Sequence, residues 1–167
     1  RDALTNLYNR NRYMDVLESY GQNKGQLIRN VGIIYMDLNE LKKVNDEQGH
    51  EAGDSYIRRA AQQIVAVFPE HTYRIGGDEF VVLYPGIEQA EFEYFVSQLQ
   101  KNAKEHQVNI SYGVVWKEIC ENLEELITEA DKKMYEDKKL YYSNTKHNRR
   151  GQTERNSLLF TAEKKVM

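Results

Sequence analysis

Cysteine is almost missing from this 167-residue chain, Cys120 being the one thiol. That excludes an internal disulfide and most zinc clusters, and it makes a reducing cytosol the default setting. Long apolar runs are missing too. None approaches the roughly 18 residues of a membrane span, and the opening residues carry no signal-peptide pattern. Nor is there an excess of positive charge: 23 Lys and Arg stand against 26 Asp and Glu, a net charge of −3. A nucleic-acid polymer, which needs a basic surface, is therefore not the expected partner. The charge is unevenly spread. From Lys146 onward six Lys/Arg face two Asp/Glu, net +4, which leaves −7 on the rest. The body is acidic and the tail basic.

What remains is 40% apolar and 29% charged, the composition of one globular domain with a sizeable core. The first residues, "RDALTNLYNR", lack an initiator methionine and read as the start of a domain cut from a longer protein with an upstream sensory partner. The expected location of the domain is cytoplasmic, and a membrane-anchored full-length protein is compatible with that.

Tyr13, Val16, Leu17 and Tyr20 follow helical spacing up to Gly21. "VGIIYMDL" (31–38) reads as a strand buried on both faces. Ile57, Ala60, Ala61, Ile64 and Phe68 stripe a helix that ends before Pro69. "TYRIGGDEFVVLYP" (72–85) is two apolar runs joined at a Gly-Gly pair, a hairpin with a tight two-residue turn whose glycines take positive φ. Phe92, Phe95, Val96, Leu99 and Ala103 mark another helix, and 108–116 another strand. Leu123, Leu126, Ile127, Ala130 and Met134 stripe the last helix, after which 143–167 reads as a polar, basic tail. A hairpin among crossover-connected elements predicts an α+β fold with a central mixed, mostly antiparallel sheet flanked by helices.

A hairpin needs its glycines but not Asp78 and Glu79 beside them. If strand 31–38 neighbours the hairpin, Asp37 and Asp78 converge at one sheet edge. Two such carboxylates repel unless a cation compensates, and a hard divalent ion does so while leaving room for phosphate oxygens. Solvated turn residues are the plainer reading of an isolated G-G-D-E. In "NDEQGHEAGD" (45–54), Asp54 falls where a helix starts, so capping is one reading. Guanine recognition is the other: a carboxylate accepts from N1–H and the exocyclic amine, and an amide such as Asn45 meets O6 or N7. Lys42 is either a solvated helix lysine or a point charge for phosphates.

Together, "DALTNLYNR", "DLNELKKVNDEQGHEAGD", "RIGGDEF" and "ADKKMYEDKK" resemble, in order and spacing, the GGDEF family of diguanylate cyclases over residues 1–142. The resemblance implies a fold akin to nucleotide cyclases and polymerase palms. It also implies the condensation of two GTP into cyclic di-GMP and two pyrophosphates by a homodimer that is transient in the isolated domain. Asp37, Asp78, Glu79 and the Leu38 carbonyl would hold Mg²⁺ or Mn²⁺, and Glu79 would help deprotonate the 3′-hydroxyl. Asn45 and Asp54 would read guanine, Lys42 and Lys138 would meet phosphates, and Gly76 and Gly77 would admit the nucleotide. A non-catalytic GTP-binding regulatory module is the alternative within the same family.

The chain departs from the family pattern in places. Asn39 stands where many members have Asp, and Leu41 where many have Phe. Tyr142 replaces a phosphate-gripping Arg, which implies weaker triphosphate binding. Val67 and Glu70 occupy the ends of the Arg-x-x-Asp product-inhibition motif, so feedback at that site is expected to be absent. Asp54 favours guanine over a mixed-base product. Arg74 is left unassigned; His50 and Trp116 read as structural, and nothing in the sequence activates Cys120.

Overall fold

The computed structural model of the chain describes residues 1–22 and 25–163, with side chains as far as Lys146. The elements run α1 (Arg10–Gln22), β1 (Ile28–Leu38), α2 (Leu41–Gln48), α3 (His50–Val67), β2 (Thr72–Arg74), β3 (Glu79–Tyr84), α4 (Gln89–Glu105), β4 (Ile110–Cys120) and α5 (Leu123–Glu163). The four strands form one sheet in the order β2-β3-β1-β4. All their pairings are antiparallel, and among the described residues parallel pairing is confined to an isolated bridge between Tyr8 and Tyr73. The α+β expectation holds, with the "mixed" character reduced to that bridge.

Alternation along β1 splits the core. Ile34, Met36 and Leu38 face α3 and α4 with Phe80 and Val82, while Val31 and Ile33 face α1 and α5 with Val81, Leu83 and Val115. A strand with apolar residues on both faces forms where helices cover both sides. Each fully buried large side chain contributes about 1.5–3 kcal/mol. By the same alternation Asp37 and Glu79 belong to the α1/α5 side, at the end where the apolar residues stop.

Three expectations need correction. The hairpin tip is longer than a two-residue turn: Arg74 pairs with Phe80, and Ile75 N–H and Gly76 N–H both reach the Glu79 carbonyl, at 3.0 and 3.4 Å. Gly76 and Gly77 do not adopt left-handed φ; that conformation falls to Gly25, Gly49 and Gly86. The tip lengthens because the Asp78 carbonyl is drawn across to accept the Leu38 N–H of β1 at 2.9 Å. Second, the stretch before Pro69 is two helices, since Gly49 at φ 90° breaks α2 from α3. Asp54 is then the fifth residue of α3, beyond the first turn, and the capping reading falls away. Third, the strands are longer than 31–38 and 108–116, and α5 continues as helix to Glu163, through the segment read as a tail. Within that helical stretch, residues 157–160 ("SLLF") form an apolar run whose side chains are outside the described residues.

Helix α5 seats directly on the sheet. A β-carbon at Gly113 of β4 would collide with the backbone of Ala130 and Met134, so only glycine permits this approach. Farther along, the Asp137 carboxylate accepts the outward Tyr112 N–H of edge strand β4 at 2.9 Å. No helix among the described residues is long and apolar enough to cross a membrane.

Candidate active site

The register of β1 and β3 sets Asp37 opposite Glu79, and the Leu38–Asp78 bond brings Asp78 to the same edge. Asp37 is 8% exposed, and the Asp78 carboxylate lies near enough to act on its charge. Burial pushes the Asp37 carboxyl above the usual aspartate range and the neighbouring Asp78 charge adds to this, while Lys138 pulls the other way. Glu79 is raised as well, by burial and then by Asp37 and Asp78.

Lys138 of α5 donates to Asp37 Oδ1 at 2.5 Å. Burial works against its charge, but the bond and charge of Asp37 outweigh that and hold its pKa above the ordinary lysine value. Lysine 138, expected at the phosphates, thus stands beside the carboxylates. Three carboxylates against one ammonium leave a deficit of positive charge. That donor set of hard oxygens suits a divalent cation of the Mg²⁺ class. Among the described residues, no three or more His, Cys, Asp or Glu side chains are grouped so that they could by themselves hold a metal ion.

The glycines divide their roles. A β-carbon at Gly76 would meet Glu79 Oε2 at 2.7 Å, so this glycine makes room for the glutamate. At Gly77 it would meet nothing within 4 Å, and the backbone there stands open to a ligand. Arg74, unassigned from the sequence, braces this tip: one amino group donates to Asp2 Oδ1 at 2.9 Å and the other to the Gly77 carbonyl at 2.8 Å. Its Nε is buried without a partner. Asp2 is fixed in turn by Thr5, whose amide and hydroxyl donate to it at 2.9 and 2.7 Å. The Asp2–Thr5 spacing is a readable turn signal, but its pairing with Arg74 is not.

The helix break brings Gly53, the neighbour of Asp54, against the Asn45 side chain. The Gly49 amide donates to the Asn45 carbonyl at 2.9 Å, closing α2, and α3 folds back beside it. Gly53, next to Asp54, lies so close under the Asn45 side chain that a β-carbon would overlap its Oδ1. Asn45 and Asp54 are half-buried, while Lys42 is exposed one turn earlier on α2. Asn39 is buried beyond the end of β1, its Oδ1 accepting at 2.9 Å from the hydroxyl of Ser111, the cross-strand partner of Asp37. Tyr142 also takes a structural contact, its hydroxyl accepting the Glu40 N–H at 3.0 Å. Val67 ends α3, and Glu70 accepts the Tyr8 hydroxyl at 3.2 Å.

Comparison with known proteins places these features in a family. The family described as "Diguanylate cyclase, GGDEF domain" matches residues 1–143. The chain is 34% identical over 144 residues to diguanylate cyclase DgcS of Shewanella oneidensis, covering 82% of this chain and 49% of DgcS. It thus spans about half the length of that relative. In fold it is similar to the FimX GGDEF domain from Pseudomonas aeruginosa, with a TM-score of 0.73 at 20% identity over 83% of this chain and 93% of that one. The GGDEF domain of DgcB from Caulobacter crescentus, solved in complex with c-di-GMP, gives a TM-score of 0.69 at 23% identity, covering 83% and 92%.

Proposed function

Because this chain belongs to the GGDEF domain family of diguanylate cyclases, we propose that it condenses two GTP into cyclic di-GMP and two pyrophosphates. The observation that carries this reading is the meeting of Asp37, Asp78 and Glu79 at the sheet edge beside the open Gly77 backbone. In each condensation a 3′ oxygen bonds to an α-phosphorus and the bond from that phosphorus to pyrophosphate breaks. Two such events close the ring.

Phosphoryl transfer asks mainly for in-line positioning and charge neutralisation. Asp37, Asp78 and Glu79, with the Leu38 carbonyl, would hold Mg²⁺ or Mn²⁺. Bound there, the ion would neutralise phosphate oxygens and lower the pKa of the attacking hydroxyl. Glu79, raised by burial and its acidic neighbours, is the acceptor for the 3′-hydroxyl proton. Lys42 and Lys138 stabilise the phosphates, with Lys138 shared with Asp37. Gly76 keeps Glu79 in place, and Gly77 lets the nucleotide approach.

Asp54 accepts from guanine N1–H and its amine, and the Asn45 amide meets O6 or N7. Adenine lacks N1–H and would leave the half-buried carboxylate unpaired, the type of mismatch that discriminates strongly. One chain carries one such site, so two copies face each other about a two-fold axis to form both linkages. An upstream sensory domain and a cytoplasmic setting belong to the same proposal.

The test is mass spectrometry of products after concentrated protein is incubated with GTP and Mg²⁺, beside an Asp78→Asn, Glu79→Gln variant. Cyclic di-GMP from the parent and not from the variant is the expected result. GTP bound without product, even with Mn²⁺ and a fused dimeriser, would replace the cyclase with a GTP-sensing module.

A further inference from the structure

Helix α2 carries Lys42 and Asn45, yet none of its eight residues is buried. Leu41 and Val44 pack half-buried against the core, and the placement of the rest of the helix, Lys42 and Asn45 included, depends on how its ends are held. Its first end is Glu40, left-handed at φ 64°, whose own side chain makes no capping hydrogen bond. A residue with a β-carbon keeps that conformation only where its surroundings impose it.

Two residues of α5 grip Glu40. The Tyr142 hydroxyl accepts its amide N–H at 3.0 Å. The Tyr141 hydroxyl hydrogen-bonds the Glu40 side chain and accepts from Asn109 Nδ2 at 3.2 Å. The two tyrosine rings pack edge to face with centroids 5.2 Å apart. One helical turn before Tyr142, Lys138 holds Asp37. Between α2 and α5 opens a cleft of about 450 Å³, lined among others by Lys42, Lys43, Tyr142 and Thr145.

We propose that Tyr142 is a positioning residue: by accepting the Glu40 amide it fixes the first turn of α2, and so sets Lys42 and Asn45 relative to Lys138 and Asp37. The inference rests on the GTP reading above. Tyr142 does not itself need to touch the nucleotide. It aligns the exposed lysine of one helix with the half-buried lysine of another, so that both meet the same phosphate chain. A misaligned α2 would weaken binding of the triphosphate while leaving the carboxylate edge intact.

The experiment compares the full chain with Tyr142→Phe, Lys42→Met and the double variant. It measures equilibrium binding of a non-hydrolysable GTP analogue, kcat at saturating GTP, thermal midpoint, and amide hydrogen exchange over residues 40–44. Loss of one hydrogen bond predicts a Kd for Tyr142→Phe raised about fivefold, with kcat changed less than about twofold and the midpoint nearly unchanged. Exchange at 40–44 should quicken, and the double variant should bind about as weakly as Lys42→Met alone. An unchanged Kd, fully multiplicative effects in the double variant, or a joint fall of kcat, affinity and midpoint would overturn the inference. Where the parent binds the analogue and Tyr142→Phe matches it, the inference alone fails. Where the parent binds none, the GTP reading fails and takes the inference with it.

Discussion

Lys138 Nζ and Asp37 Oδ1 meet at 2.5 Å across 101 residues of chain, joining α5 to the end of the central strand. Removing the lysine strands a buried carboxylate among two others, a more costly change than removing both partners. Lys138→Met should therefore lose about 1–3 kcal/mol of stability, somewhat below a fully buried pair because the lysine retains partial exposure. Adding Asp37→Asn to that variant should restore most of the thermal midpoint but not product formation. Thermal denaturation of the single and double variants, run beside the turnover assay, checks both halves.

The two glycines at the hairpin tip should respond differently to the same methyl group. In Gly76→Ala the new carbon presses on Glu79 Oε2, so the carboxylate shifts and turnover falls whether or not binding does. In Gly77→Ala nothing is struck and φ is ordinary, so the thermal midpoint should stay within about 1–2 °C of the parent's. If nucleotide lies against that backbone, its affinity should nonetheless drop by roughly tenfold or more, as an overpacked contact would. Equal affinity in Gly77→Ala and parent would show that the nucleotide keeps clear of residue 77.

Gly113→Ala tests the seat of α5. Its added carbon meets helix backbone rather than a flexible side chain, so the helix must lift. A loss of about 1–3 kcal/mol is expected, and activity should fall with it because Lys138 rides on the same helix. Urea unfolding together with the turnover assay measures the pair of effects.

The Asp2–Arg74 brace gives a pH signature. Burial pushes Asp2 upward, but the hydrogen bonds from Thr5 and Arg74 outweigh it and its carboxyl lies below the usual aspartate range. A depressed folded-state pKa contributes stability above the unfolded-state value and loses it as pH falls through the folded-state value. Asp2→Asn should thus be less stable than the parent at neutral pH, by about 0.5–1.5 kcal/mol. The difference should close only in strong acid, below the ordinary aspartate range. Thermal midpoints of both proteins across an acid series would reveal it.

Much of the fold can be read in the chain itself. The run "GIIYMDL" has no polar face and the stripes of α3 and α4 are regular, so burial dictated those elements with little competition. Arg29 and Asn30 concealed the start of β1, because ladder hydrogen bonds extend it past the point where apolar burial signals a strand. The α2–α3 break was hidden because α2 has no buried stripe, leaving Gly49 as its single mark. The extra length of the hairpin tip depends on the partner of the Asp78 carbonyl, which lies on another strand. The meeting of Asp37 with Asp78 and Glu79 was accessible once the strands were neighbours, since register follows from alternation. The roles of Arg74 and Tyr142 were not, because their contacts close loops of 72 and 102 residues and leave no periodic trace.

Within thirteen residues, α5 presents the Ala130 carbonyl to Gly113, Asp137 to the edge of β4, Lys138 to Asp37, and Tyr141 and Tyr142 to the Glu40 turn. Every residue inserted or deleted in a helix turns all that follows by about 100° and moves it about 1.5 Å along the axis. This span can therefore vary in identity at its solvent-facing positions but not in length. A gain or loss of one residue between 130 and 137 would carry every later anchor off its partner together, so a change of chain length fits only in the connections around this span.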